Sequence, residues 1–152
     1  MRLFRLAPVA ALLLLATSCR QDDLGVNLIT KTGVVMDGTQ EVPSKPGAGN
    51  GTIDYTYNRT TRTLSYTVRW NSLSGVPIAM HIHGTAPKGV NAGIIQTFSG
   101  FTSSQTGTYT GTFFVDNIVV KEADFLNGVY YINLHTALNP GGEIRGQLTF
   151  TN

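Results

Sequence analysis

The sequence predicts an all-β fold, an antiparallel β-sandwich or barrel of about eight strands with one short helix. Three observations predict it. Apolar and polar residues alternate with period two in one segment after another, as in Ile53, Tyr55 and Tyr57 against Thr52, Asp54 and Thr56, the pattern of strands with one face in a core. Clusters of Gly, Pro, Asn and Ser interrupt these runs at short intervals. Thr, Tyr, Val, Ile and Phe fill the periodic stretches, while charged residues make up only 13% of the chain, which suits pleated, half-buried surfaces. At 152 residues, less a targeting segment, the chain has room for one ordinary core. A net charge of +2 leaves no basic footprint, so nucleic acid is not an expected partner.

Residues 1–18 read as a signal peptide. Arg2 and Arg5 form a basic leader, and the apolar run from Leu6 to Ala16, broken by Pro8, is too short to remain as a membrane span. Ala16-Thr17-Ser18-Cys19 resembles a bacterial lipobox, in which the cysteine is lipidated and becomes the first mature residue; Ala16 stands where that motif most often has leucine. Ala16-Thr17-Ser18 also fits the small-x-small rule of ordinary signal peptidase, which keeps plain secretion as the alternative. Cys19 is the only cysteine, and a thiol without a disulfide partner in an oxidising compartment favours lipidation. The expected location is the cell envelope, periplasmic or facing the outer surface, with the membrane as partner through the lipid. Residues 19–32 read as the lipidated cysteine and a polar tether, and 33–152 as the domain.

Within the domain, Val34-Val35-Met36 opens the first strand, and Glu41 to Gly51 is a Pro- and Gly-rich loop. The segments around Ile53–Tyr57 and Leu64–Trp70 form a hairpin over the polar tip Asn58 to Arg62. Ala79-Met80-His81-Ile82-His83 is a strand with Met80 and Ile82 on one face and both histidines on the other. A Gly-rich loop from Gly84 to Gly93, a short strand through Ile94 and Ile95, and an alternating strand through Tyr109, Gly111 and Phe113 follow. Val120 to Asn127 is the one helix expected, with Gly128 as its left-handed terminator.

The last hairpin organises the chain. Tyr130, Ile132 and Leu134 alternate with Tyr131, Asn133 and His135; after Asn139-Pro140-Gly141-Gly142, Ile144 and Leu148 alternate with Glu143, Arg145 and Gln147. Keeping apolar against apolar sets Asn133 beside Arg145 and His135 beside Glu143. All three histidines then lie on polar strand faces.

These residues define the only candidate site. Two histidines in H-x-H on a strand share a face with Cα atoms about 6–7 Å apart, which suits chelation of one transition metal. His81, His83 and His135, with Glu143 as fourth ligand or as an acceptor orienting an imidazole, suit zinc or copper. The alternative is a hydrogen-bonded network of Asn133, Glu143, Arg145 and the histidines that ties strands together. Arg145 favours the network, because a guanidinium repels a cation unless a carboxylate neutralises it. No catalytic residue set is expected: the serines lack a nucleophile-elbow setting, Lys88 lacks a P-loop, and Cys19 is not available as a thiolate. Whether the chain is an enzyme stays open.

Glu41-Val42-Pro43, Met80-His81-Ile82-His83-Gly84, Gly128 to Thr136, and Asn139 to Leu148 resemble, in order and spacing, the motifs of the CHRD domain, over about Val34 to Phe150. The family takes its name from chordin and also occurs in bacterial exported proteins. The resemblance implies an immunoglobulin-like β-sandwich and an extracytoplasmic setting, most simply a non-enzymatic binding or structural module; it implies no reaction and names no protein or ligand partner. The H-x-H on a β-sandwich is also similar to part of the copper site of copper/zinc superoxide dismutases, which keeps a single-metal redox protein as the alternative. Three histidines in all are too few for the dual-metal site of that family.

Overall fold

A computed structural model describes residues 27–150. Eight strands form one antiparallel sheet: β1 (Leu28–Asp37), β2 (Asn50–Asn58), β3 (Thr63–Asn71), β4 (Pro77–Gly84), β5 (Ile94–Thr97), β6 (Gly107–Phe114), β7 (Tyr130–Thr136) and β8 (Ile144–Leu148), in the order β5-β4-β7-β8-β1-β2-β3-β6. The sheet curls so that its outer strands nearly meet. At this seam Gln96 donates to the Thr112 carbonyl across 3.3 Å, and Phe98 stacks on Tyr66 and Tyr109. The result is a nearly closed barrel, the form in which an antiparallel sheet leaves least strand edge exposed.

The alternation expected from sequence fills the interior. Ile53, Leu64, Val68, Met80, Ile82, Ile132, Leu134, Ile144 and Leu148 are all fully buried, and the β2–β3 register sets Ile53 opposite Val68 and Tyr55 opposite Tyr66. Gly146 interrupts the apolar face of β8 because Met36 and Ile53 occupy its space: a Cβ there would lie 2.7 Å from Met36 Cγ and 2.9 Å from Ile53 Cδ1. The helix α1 (Glu122–Leu126) is shorter than the expected Val120–Asn127. It plugs one end of the barrel with Phe125, whose ring meets Tyr57, Tyr130 and Phe150. Gly128 follows with φ +73°, the left-handed conformation expected of it.

Two expectations change. β1 begins at Leu28, inside the stretch read as a tether, because Leu28 to Lys31 pair with Tyr55 to Asn58 and gain a full ladder. The polar face of the last hairpin is itself buried: every residue of β7 and β8 is buried, Arg145 being 1% and Asn133 2% exposed. The loops at 38–49 and 84–93 lie over that face. They are joined by Asn91 Nδ2 donating to the Val42 carbonyl at 2.8 Å, and pinned by the Ala92 N–H donating to the Tyr131 hydroxyl at 3.2 Å.

Residues 1–18 and Cys19, read as signal peptide and lipidation site, lie outside the described residues. Among the described residues no helix is long and apolar enough to cross a membrane.

Candidate histidine cluster

β4 and β7 are neighbours, and that adjacency builds the site. Their register sets His81 opposite Asn133 and His83 opposite Tyr131. His135 therefore lies diagonally across from His81 on the same face. The three rings converge: His81 Nδ1 is 3.0 Å from His135 Nε2, and one nitrogen from each of His81, His83 and His135 lies within 4.8 Å of the others. Asn133 sits among them, its Oδ1 2.9 Å from His135 Nε2. Arg145 is opposite Asn133 in the β7–β8 ladder, as the hairpin reading required.

Backbone carbonyls fix two of the three imidazoles. Ala92 O accepts from His83 Nδ1 at 2.9 Å, and Pro140 O accepts from His135 Nδ1 at 2.9 Å. A carbonyl cannot donate, so both rings carry their proton on Nδ1 and turn the Nε2 lone pair into the cluster. Burial holds all three imidazoles below their usual range, His81 down to about 4, and the neighbouring imidazoles lower His81 and His83 further. Near neutral pH the cluster is thus a set of uncharged bases. His83 Nε2 is buried and meets no donor. His135 Nε2 lies 2.9 Å from the Asn133 oxygen, and nearby Glu41 Oε1 is buried without a hydrogen-bond partner among the described residues. The Nδ1–H of a neutral His81 reaches His135 Nε2 at 3.0 Å, which leaves His83 Nε2 as the buried histidine nitrogen without a partner among the described residues.

The flanking charges are placed differently from the sequence reading. Glu143 does not neighbour His135. β8 starts one residue later, at Ile144, and the turn swings the Glu143 carboxylate to the other side. There it accepts from the Ser74 N–H at 2.6 Å, the Ser74 and Thr136 hydroxyls at 2.5 Å each, and Asn139 Nδ2 at 3.3 Å. Burial opposes ionisation of Glu143, but these donors outweigh it and hold its carboxyl below the usual range. Among the described residues Arg145 pairs with no carboxylate: its guanidinium carbon lies 3.3 Å from the Tyr131 ring centroid, and it donates to Val90 O at 2.6 Å and Asn91 Oδ1 at 3.1 Å. The Tyr131 ring also stacks on His83, at 4.8 Å and 6°, so Arg145 is separated from the histidines by an aromatic ring. The buried carboxyl in contact with the cluster is Glu41, which sequence reading left in a loop. Burial pushes it up to about 7, against the pull of Arg145 and the hydrogen bond from Asn133. Its only signal in the sequence was membership of the Glu41-Val42-Pro43 motif.

An antiparallel barrel with three histidines gathered on adjacent strands defines the class. The CHRD domain profile matches residues 32–148, most of the chain and every residue of the cluster, and the protein belongs to the CHRD domain family. No curated protein and no solved structure matches the chain.

Proposed function

We propose that this protein is a non-enzymatic binding module of the cell envelope, held there by lipid on Cys19, whose histidine cluster takes up one zinc or copper ion. The observation that carries the metal reading is the convergence of the three imidazoles, with His83 Nε2 buried and without a partner among the described residues. His81 Nδ1, His83 Nε2 and His135 Nε2 supply the nitrogens, and Asn133 Oδ1 completes the set. Metal–nitrogen bonds of about 2.0–2.1 Å place two ligands of one tetrahedral ion about 3.3 Å apart. The 3.0 Å contact of His81 with His135 is close to that spacing, and the three ligand nitrogens lie within 4.8 Å of one another. The backbone carbonyls on His83 and His135 are the outer partners that orient metal-bound imidazoles. His81 is the one ring of the three that is not buried, which gives an ion a route in and leaves room for a redox role if the ion is copper.

Elemental analysis of the purified protein, followed by calorimetric titration of the metal-free protein with zinc and copper(II) at pH 7.5, tests this. One equivalent should bind, and the His81→Ala/His83→Ala double substitution should abolish it. A folded protein that takes up neither ion would leave the cluster as a hydrogen-bonded network tying β4 to β7. The lipid reading rests on the single cysteine following an apolar leader, and fails if Cys19→Ser leaves membrane association unchanged.

A further inference from the structure

Both ends of the barrel carry apolar side chains that the fold leaves in water: Val76, Ile78 and Leu138 at the end with the β7–β8 turn, and a second group at the end where the chain enters. In the loop after β6, Ile118 is 77% and Val119 69% exposed, and at the end of β6 Phe114 is 53% exposed. Scattered apolar residues on a surface are ordinary, but a contiguous group marks a contact. This group is also held in shape. Asp116 accepts from the backbone N–H groups of Ile118, Val119 and Val120 at 2.8, 2.9 and 2.9 Å, and the Asn117 N–H donates to the Val120 carbonyl at 3.0 Å. The β2–β3 turn lies alongside, with the Val115 N–H donating to the Arg62 carbonyl at 2.9 Å and Arg62 over the Phe114 ring at 5.3 Å.

The chain enters the domain at this same end. The Arg59 N–H donates to the Asn27 carbonyl at 2.8 Å, and Leu28 pairs with Asn58. Eight peptide steps separate Cys19 from Asn27, a reach of at most about 29 Å. The ten residues of β1 run for about 33 Å. A tether shorter than the barrel cannot bring the opposite end to the bilayer while this end points away. The charges here balance, with Arg59, Arg62 and Lys121 against Asp116, Glu122 and Asp124. Asp116 is satisfied by its three N–H groups, and Glu122 pairs with Arg59 at 3.5 Å. The contact is therefore apolar, bordered by Arg62 over the Phe114 ring and by Lys121, whose Nζ donates to the Asn117 carbonyl at 3.0 Å.

We infer that this end of the barrel rests on the phospholipid surface, with Ile118, Val119 and Phe114 seated at the boundary of headgroups and acyl chains; the inference rests on the anchor reading of Cys19. The protein has one tryptophan, Trp70, which is 2% exposed, so an added tryptophan reports its own surroundings. Val119→Trp and Leu138→Trp are made in the full chain and purified from the cells that process it; Leu138, in the β7–β8 turn, is 74% exposed at the opposite end. The mass of the Cys19 peptide decides the anchor reading separately. Where Cys19 proves unmodified, coupling its thiol to a maleimide phospholipid supplies the same tether, and the comparison proceeds. Each variant is placed in phosphatidylethanolamine–phosphatidylglycerol vesicles with brominated acyl chains. The emission added over the natural protein should fall by about half or more in Val119→Trp, as expected for a side chain some 5–10 Å into the boundary, and should be kept in Leu138→Trp. Equal quenching at the two positions, or none at 119, would overturn the inference. If Val119→Trp does not fold, Ile118→Trp takes its place.

Discussion

His81 and His135, 54 positions apart in sequence, bring Nδ1 and Nε2 to 3.0 Å. The contact exists because β4 and β7 are neighbours in register, and each strand alone presents its histidine to that face.

The donor set is open to dissection. Asn133→Ala should weaken zinc binding by about 10–100-fold, the usual cost of losing a group that supports metal ligands. Glu143→Gln should leave zinc affinity unchanged, because its carboxylate faces Ser74, Thr136 and Asn139. Calorimetry on the two variants separates these outcomes, and a large loss in Glu143→Gln would place that carboxylate at the ion after all.

The pH dependence of the metal-free protein follows from the sign of the shifts. Burial lowers all three imidazoles, His81 to about 4, whereas the unfolded chain takes up these protons near pH 6.5. Between those values the unfolded state binds more protons, so this contribution to stability is present above about pH 6.5 and is lost on acidification. Glu41 opposes it: its carboxyl is raised to about 7, so its contribution is present below about pH 4.5 and is lost as pH rises through 7. Urea denaturation from pH 8 to 5 should therefore show a steeper fall on acidification in Glu41→Gln than in the natural protein. Replacing the three histidines in that background should flatten the curve.

Leu134 is fully buried opposite Ile144. Leu134→Ala should cost on the order of 2–5 kcal/mol in chemical denaturation, the range for core truncations whose cavity cannot collapse. A loss below about 1 kcal/mol would mean that β7 does not pack as described.

Gly146 gives the complementary test. Its missing side chain is replaced by Met36 and Ile53, so Gly146→Ala should destabilise by about 1–3 kcal/mol through overpacking. Shortening Met36 in the same chain should recover part of that loss. No recovery in the double-mutant cycle would assign the cost to the backbone instead.

Much of the fold was legible because strand alternation is a local signal. The hairpin of the Ile53–Tyr57 and Leu64–Trp70 segments and the pairing of Asn133 with Arg145 follow from keeping apolar faces together across a short turn. The meeting of His81 with His135 was not legible, since alternation fixes faces but not which distant strands are neighbours. Glu143 was misplaced because β8 begins at Ile144, so strand alternation does not extend to Glu143 and its side chain follows the turn instead. The burial of the polar face was invisible for another reason: the covering loops at 38–49 and 84–93 are rich in Gly and Pro and carry no periodicity. Glu41, held on one of them, went unread with it.

The barrel also has a hem. β5, four residues long, pairs with β4 alone, and its approach to β6 rests on one side-chain hydrogen bond and a stack of three rings. A sheet closed by a full ladder opens only with the whole domain, whereas one fastened this way can part along a single line. Amide protons of β5 and β6 should exchange with solvent well ahead of those in β7 and β8. That line runs beside the histidines, because β5 pairs with β4 and sets Thr97 opposite His81 and Ile94 opposite His83, so thermal breathing of β5 loosens one wall of the cluster.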